Sequence, residues 1–286
     1  MNFHKSKQQA VWLEVALNGA TGQSLQPNIP VEVDDIIAEG IACAGAGAAI
    51  IHLHAYDKHG KPTEDADIYS RIIEGIRAGC DAIVYPTLAL GGSVEQRIAP
   101  LRILAERGLL EWMVVDPGSV NITHALQAAS DIPGFVYSNP DEHIAAGLAL
   151  CEAFKLRPAY AIYEPGFARL GAAMASRYKA LQTPVYRVMF SDNLLFGSTP
   201  NLTALAFYAS HLDSICPGAP RMISGLDADI SSISKEALQK GFHLRAGLED
   251  APLGCDKSNI QLLEETLALV QQNGTKLATA AEIRGQ

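Results

Sequence analysis

A chain of 286 residues with 48% hydrophobic and 19% charged positions has ample apolar surface for a large core and is not a disordered polymer. Its net charge of −9 carries no basic cluster, which argues against a nucleic-acid or anionic-membrane surface and leaves room for a compact basic pocket. The five cysteines, Cys43, Cys80, Cys151, Cys216 and Cys255, are too scattered for a disulfide framework or a cysteine-based zinc site and read as reduced packing residues.

Residues 1–9 are polar and no run of about 18 apolar residues follows, so the expectation is a cytoplasmic protein with no membrane partner. Apolar runs at 12–18, 49–56, 82–88, 112–116, 158–164, 185–192, 221–227 and 242–250 predict strands. Helical spacing follows them at 33–46, 68–78, 94–107, 142–155, 167–181, 202–215, 234–240 and 259–272. Strand–helix units in this number predict a (β/α)8 TIM barrel, folded as a single domain over residues 1–286 because no linker or change of composition divides them. Residues 123–139 are the least regular stretch, with Phe135-Val136-Tyr137 either a spare strand or an excursion toward substrate.

His52 and His54 stand two apart at the end of the second run, so a strand points both imidazoles to one face. Paired neutral imidazoles suit zinc, and a catalytic site takes three protein ligands and leaves a position open. The last run supplies the third. Phe242, Leu244, Ala246 and Leu248 form its apolar parity, which turns His243, Arg245, Gly247 and Glu249 into the barrel. Strands two and eight contribute to the same inward layers, so Glu249 is expected beside His52 and His54. By the same parity Glu14 lies deep on the first strand and pairs with an inward cation, and His243 supports Arg245 from below. His4, His59, His124, His143 and His211 carry no partner pattern and read as surface or loop residues.

The segment His52-Leu53-His54-Ala55-Tyr56-Asp57 with Gly60-Lys61-Pro62-Thr63 resembles the beta-keto acid cleavage enzyme family, as does Arg245-Ala246-Gly247-Leu248-Glu249-Asp250 with Ser258-Asn259. Leu17-Asn18-Gly19-Ala20, Gln26-Pro27-Asn28, Arg97-Ile98-Ala99-Pro100 and Asp116-Pro117-Gly118-Ser119 agree with it too. The resemblance implies a barrel that binds Zn2+ at His52, His54 and Glu249 and uses Arg245 and Asp250 as its acid–base pair. It implies a retro-Claisen cleavage in which a β-keto acid and acetyl-CoA give acetoacetate and a new acyl-CoA, with a homo-oligomer as the expected assembly. Ser119 matches a hydroxyl of the substrate pocket, and Asn18, Thr21, Tyr85, Thr87 and Glu164 are further candidate substrate contacts.

Departures bear on the substrate. Thr21 stands where a glutamate would meet an ammonium, and Tyr56 replaces a common arginine. A pocket rimmed by Tyr85, Thr87, Leu88 and Phe196, with no fixed charge beyond Arg245 and the metal, is expected to take a neutral-tailed β-keto acid. Residues 192–198 replace a glycine-rich turn for coenzyme A, and residues 225–229 are acidic, which disfavours a phosphate-rich cosubstrate. That leaves two alternatives: a zinc lyase or hydrolase working without acetyl-CoA, and a non-catalytic metal-bearing barrel acting as a binding protein.

Overall fold

Eight short parallel strands alternate with helices through the computed structural model, which describes residues 10–286 and so leaves His4 outside the described residues. The strands are β1 (Leu13–Ala16), β2 (Ile50–Leu53), β3 (Ile83–Pro86), β4 (Trp112–Val114), β5 (Arg157–Ile162), β6 (Val185–Phe190), β7 (Arg221–Gly225) and β8 (His243–Ala246). They hydrogen-bond in the order β3-β2-β1-β8-β7-β6-β5-β4, and the outer pair β3 and β4 meet, so the sheet curls into a nearly closed (β/α)8 TIM barrel. Their side chains are buried on both faces, as helix-covered parallel strands require.

The covering helices are α1 (Val33–Ala46), α2 (Ala66–Gly79), α3 (Val94–Glu106), α4 (Asp141–Phe154), α5 (Pro165–Ala175), α6 (Leu202–Ile215), α7 (Ser231–Gln239) and α8 (Asn259–Gln272). In α2, Tyr69, Ile72, Ile73 and Ile76 recur at helical spacing and are the buried stripe. Asp65 starts that helix by accepting from the Asp67 and Ile68 amides, while Ser93 and Ser258 start α3 and α8 with capping boxes. α5 ends six residues before the expected boundary because the chain beyond it is tied to α4: the Tyr178 hydroxyl donates to Ala145 O and the Ala180 amide to Glu152. All five cysteines are free thiols. No helix among the described residues is long and apolar enough to cross a membrane.

Two hairpins stand on the C-terminal face of the barrel. Ala55–Tyr56 pairs with Pro62–Thr63 directly after β2, and Val120–Ile122 pairs with Phe135–Tyr137 after β4. The irregular stretch is therefore a strand pair and an excursion at once, since Phe135 and Tyr137 also line the cavity described below.

Candidate active site

His52 is on β2 and His54 one step beyond it, their rings edge-to-face at 5.4 Å. Glu249 arrives by a different route from the one its parity suggests. The β8 ladder ends at Ala246, and the chain then turns through Gly247 at φ +126, where a Cβ would stand 2.1 Å from Ala16 O. Leu248 and Glu249 follow in the turn. Asn259 accepts from the Leu248 amide and Gln26 donates to Leu248 O, so both residues clamp the turn that presents Glu249. Gly19, at φ +67, passes so close that a Cβ would meet Glu249 Cγ at 2.9 Å.

His52 Nε2 lies 3.4 Å from Glu249 Oε2, and His54 Nε2 lies 3.4 Å from Glu249 Oε1. Ligand bonds of about 2.1 Å in a tetrahedral array put neighbouring donors roughly 3.4 Å apart, so this spacing fits a zinc-sized ion. His54 Nε2 and Glu249 Oε2 are buried without a hydrogen-bond partner, as atoms awaiting a metal would be. Burial pushes the His52 imidazole down to about 4 against the opposing pull of Glu249, which keeps it in the neutral, ligating form. No fourth His, Cys, Asp or Glu joins the group among the described residues.

Beneath the triad lies a buried polar layer. Arg245 donates to Asp250 Oδ1 at 2.7 Å, approaches Glu249 at 3.1 Å and donates to Glu14 Oε1 at 3.1 Å. Burial pushes the Asp250 carboxyl up to about 6, held back by Arg245 and by the Ser224 hydroxyl, which donates to it at 2.6 Å. Glu14 also accepts from Tyr85 OH at 2.6 Å and from Arg187 Nη1 at 3.2 Å. Arg187, on β6, and Ser224, on β7, had no place in the sequence reading. An arginine or serine on the inward parity of an apolar strand was the available sign of each.

A cavity of about 350 Å3 opens over this layer. His52, His54, Glu249, Arg245 and Arg187 line it on the polar side, with Leu88, Leu90, Phe135, Met189, Leu194 and Leu226 among its apolar walls. Thr21 and Thr87 are in the lining. The remaining candidates fall outside it. Tyr85 packs behind His52, its ring 4.7 Å away and tilted by 43°, because its hydroxyl reaches down to Glu14. Asn18 clasps His54, accepting from its amide at 2.8 Å and donating to its carbonyl at 3.0 Å. Ser119 accepts from the Asn139 amide at the base of the Val120–Tyr137 hairpin, and Glu164 from the Gly197 amide.

Phe196 stands behind Tyr163, and Tyr56 is buried with its hydroxyl on Gly19 O, so neither rims the mouth. Asp250 sits behind Arg245 and borders a second cavity outside β8. His243 does not support Arg245: its Nδ1 accepts from the Trp12 amide and its ring stacks on Trp12 at 4.3 Å. His143 bonds Arg97 at 2.9 Å, His211 bonds Pro165 O, and His124 approaches Asp227 at 3.7 Å, so these three have partners. The expectation of no fixed charge beyond Arg245 and a metal is corrected by Arg187, and by Asp116 and Asp227 in the same wall. Burial raises the Asp116 carboxyl, opposed by the Tyr137 hydroxyl that donates to it at 2.7 Å.

A 3-oxoadipate:acetyl-CoA acetyltransferase of Cupriavidus necator is 25% identical over 278 residues, covering 95% of this chain and 92% of that protein. A 3-keto-5-aminohexanoate cleavage enzyme of Acetoanaerobium sticklandii is 24% identical over 272 residues, covering 90% of each. Among solved structures, the ternary complex of ObcA with a C4-CoA adduct and oxalate shares the fold at a TM-score of 0.65 and 15% identity, over 91% of this chain and 67% of that one. The sequence profile of the beta-keto acid cleavage enzyme family matches residues 10–286, which takes in every strand, helix and turn that builds the site, and the chain belongs to that family.

Proposed function

We propose that the protein cleaves a β-keto acid by a retro-Claisen reaction coupled to acetyl transfer. The bond between the keto carbon and the α-carbon breaks, the acyl group passes to the coenzyme A thiol of acetyl-CoA, and the acetyl group joins the released carboxylate unit as acetoacetate. The observation that carries this reading is the convergence of His52, His54 and Glu249 on one edge of a substrate-sized cavity in a chain of this family. The metal is Zn2+, which when bound supplies Lewis-acid stabilisation of charge developing on substrate oxygens. Arg245 places a permanent positive charge in the cavity wall beside that edge. Arg245 is the member of the acid–base pair that faces the methylene that becomes part of acetoacetate, and Asp250 behind it, bonded to it at 2.7 Å and with its carboxyl raised by burial, is the base that draws the proton through it. Walls of leucine, methionine and aromatic side chains exclude water from the thioester and the carbanion. A cytoplasmic homo-oligomer remains the expected form.

The coordination group has three members, and a structural zinc site usually closes with four, which favours catalysis over a binding role. Asp227 in the cavity wall favours the lyase or hydrolase reading, because it would repel an approaching phosphate. One assay separates them. Zinc-loaded protein incubated with a panel of β-keto acids should form acetoacetate and a new acyl-CoA only when acetyl-CoA is present. Acid consumption that ignores acetyl-CoA would establish the lyase or hydrolase, and none under either condition would refute cleavage.

A further inference from the structure

Arg187 is a buried charge with an incomplete set of partners among the described residues. It is 4% exposed, it lines the cavity, and its hydrogen bonds, to Glu14 at 3.2 Å and Tyr85 OH at 2.7 Å, both leave from Nη1. Its Nε is buried without a partner among the described residues. An arginine held at one nitrogen keeps a planar donor edge free, and that edge matches a carboxylate. Ala161, the register partner of Arg187 on β5, lines the same cavity and is too small to cover the guanidinium flank. Arg245, by contrast, has every nitrogen engaged by Asp250, Glu14 or Glu249.

The carboxylates around Arg187 leave that edge unanswered: Glu14 meets only Nη1, and Asp116 accepts instead from the Tyr137 hydroxyl and the Ala161 amide. We infer that Arg187 is a substrate-binding residue that receives the carboxylate of the β-keto acid at the floor of the cavity, leaving the acyl tail to the apolar walls. This rests on the β-keto acid reading of the site.

The test compares acetoacetate with acetoacetamide, which keeps the keto oxygen and replaces the charged head by a neutral one. Calorimetric binding to zinc-loaded protein without acetyl-CoA should favour the acid by roughly 100-fold, and Arg187→Met should shrink that preference to within about threefold while leaving amide affinity unchanged. Arg187→Lys keeps a cation beside Glu14, guards against a folding defect, and should fall between the two. An acid preference that survives both substitutions in folded protein overturns the assignment, even if the enzyme turns over. Acid binding lost through Arg187 in a protein that forms no acetoacetate with acetyl-CoA would instead overturn the reaction and leave the assignment standing.

Discussion

Replacing Asn18 with alanine isolates how the fold holds a metal-binding histidine. The Asn18 side chain is buried, accepts from the His54 amide at 2.8 Å, and donates to His54 O at 3.0 Å and Pro30 O at 2.9 Å. Its loss leaves three backbone groups without partners. At about 1 kcal/mol for each hydrogen bond, and more for any group that stays dry, the expected destabilisation is about 3 to 5 kcal/mol. Because His54 is fixed through its own backbone, the imidazole should also lose its aim, and zinc affinity should fall by roughly 10- to 100-fold. Denaturant unfolding of the metal-free protein reads the first effect, and competition with a chelator at a temperature where the variant stays folded reads the second. Asn18→Asp keeps the acceptor for the His54 amide but sets a buried oxygen against the His54 and Pro30 carbonyls, so it should be at least as destabilising as Asn18→Ala. A variant with lowered stability and wild-type zinc affinity would show that the clasp holds the barrel and not the ligand, and the reasoning would fail.

His52→Ala should abolish zinc retention while far-UV circular dichroism stays native, because the strands and helices do not depend on the ring; unchanged metal content would remove His52 from the site. Asp250→Asn should keep zinc and acetoacetate binding and lose about 10²- to 10⁴-fold in kcat; if substrate binding is lost instead, Asp250 only positions Arg245. The imidazole of His243 is pushed down by burial to about 3 from an ordinary 6.5, with Arg221 and Arg157 adding to the shift. The unfolded chain therefore binds the extra proton, so this contribution to stability is complete above pH 6.5 and is lost as pH falls toward 3. It amounts to ~2 kcal/mol between pH 7 and pH 5. Urea unfolding at the two pH values should show His243→Gln losing that much less than wild type, and an identical loss would count against the buried neutral ring.

The barrel was legible because parallel strands buried on both faces read as short apolar runs at regular intervals, and their helices carry a stripe such as Tyr69, Ile72, Ile73 and Ile76. What periodicity could not give was where each strand stops. The last apolar run extends to residue 250, but its ladder breaks at Ala246 because Gly247 takes a positive φ and lets Ala16 O approach. Parity turned Glu249 inward for the wrong local reason. The structure brings it there by a turn fastened by Asn259, in the helix start that follows, and by Gln26 from the far end of the chain.

Depth was the other missing coordinate. Tyr85 and Thr87 share an inward parity on β3 and its extension, yet one lines the cavity and the other does not. Two residues advance a strand by about 6.6 Å, roughly one layer of a barrel interior. Thr87 reaches the cavity, whereas Tyr85 spends its length reaching down to Glu14 and packing behind His52. The same logic applies to Arg187. It sits mid-strand between Val185 and Met189, at a depth where an inward residue ordinarily fills a closed core. Ala161 on the neighbouring strand leaves that layer unfilled, so the cavity descends to the guanidinium. A charged residue at packing depth becomes a candidate for ligand binding when its neighbour on the next strand is small, and that condition is set by a pair of residues 26 apart in the sequence rather than by any local motif.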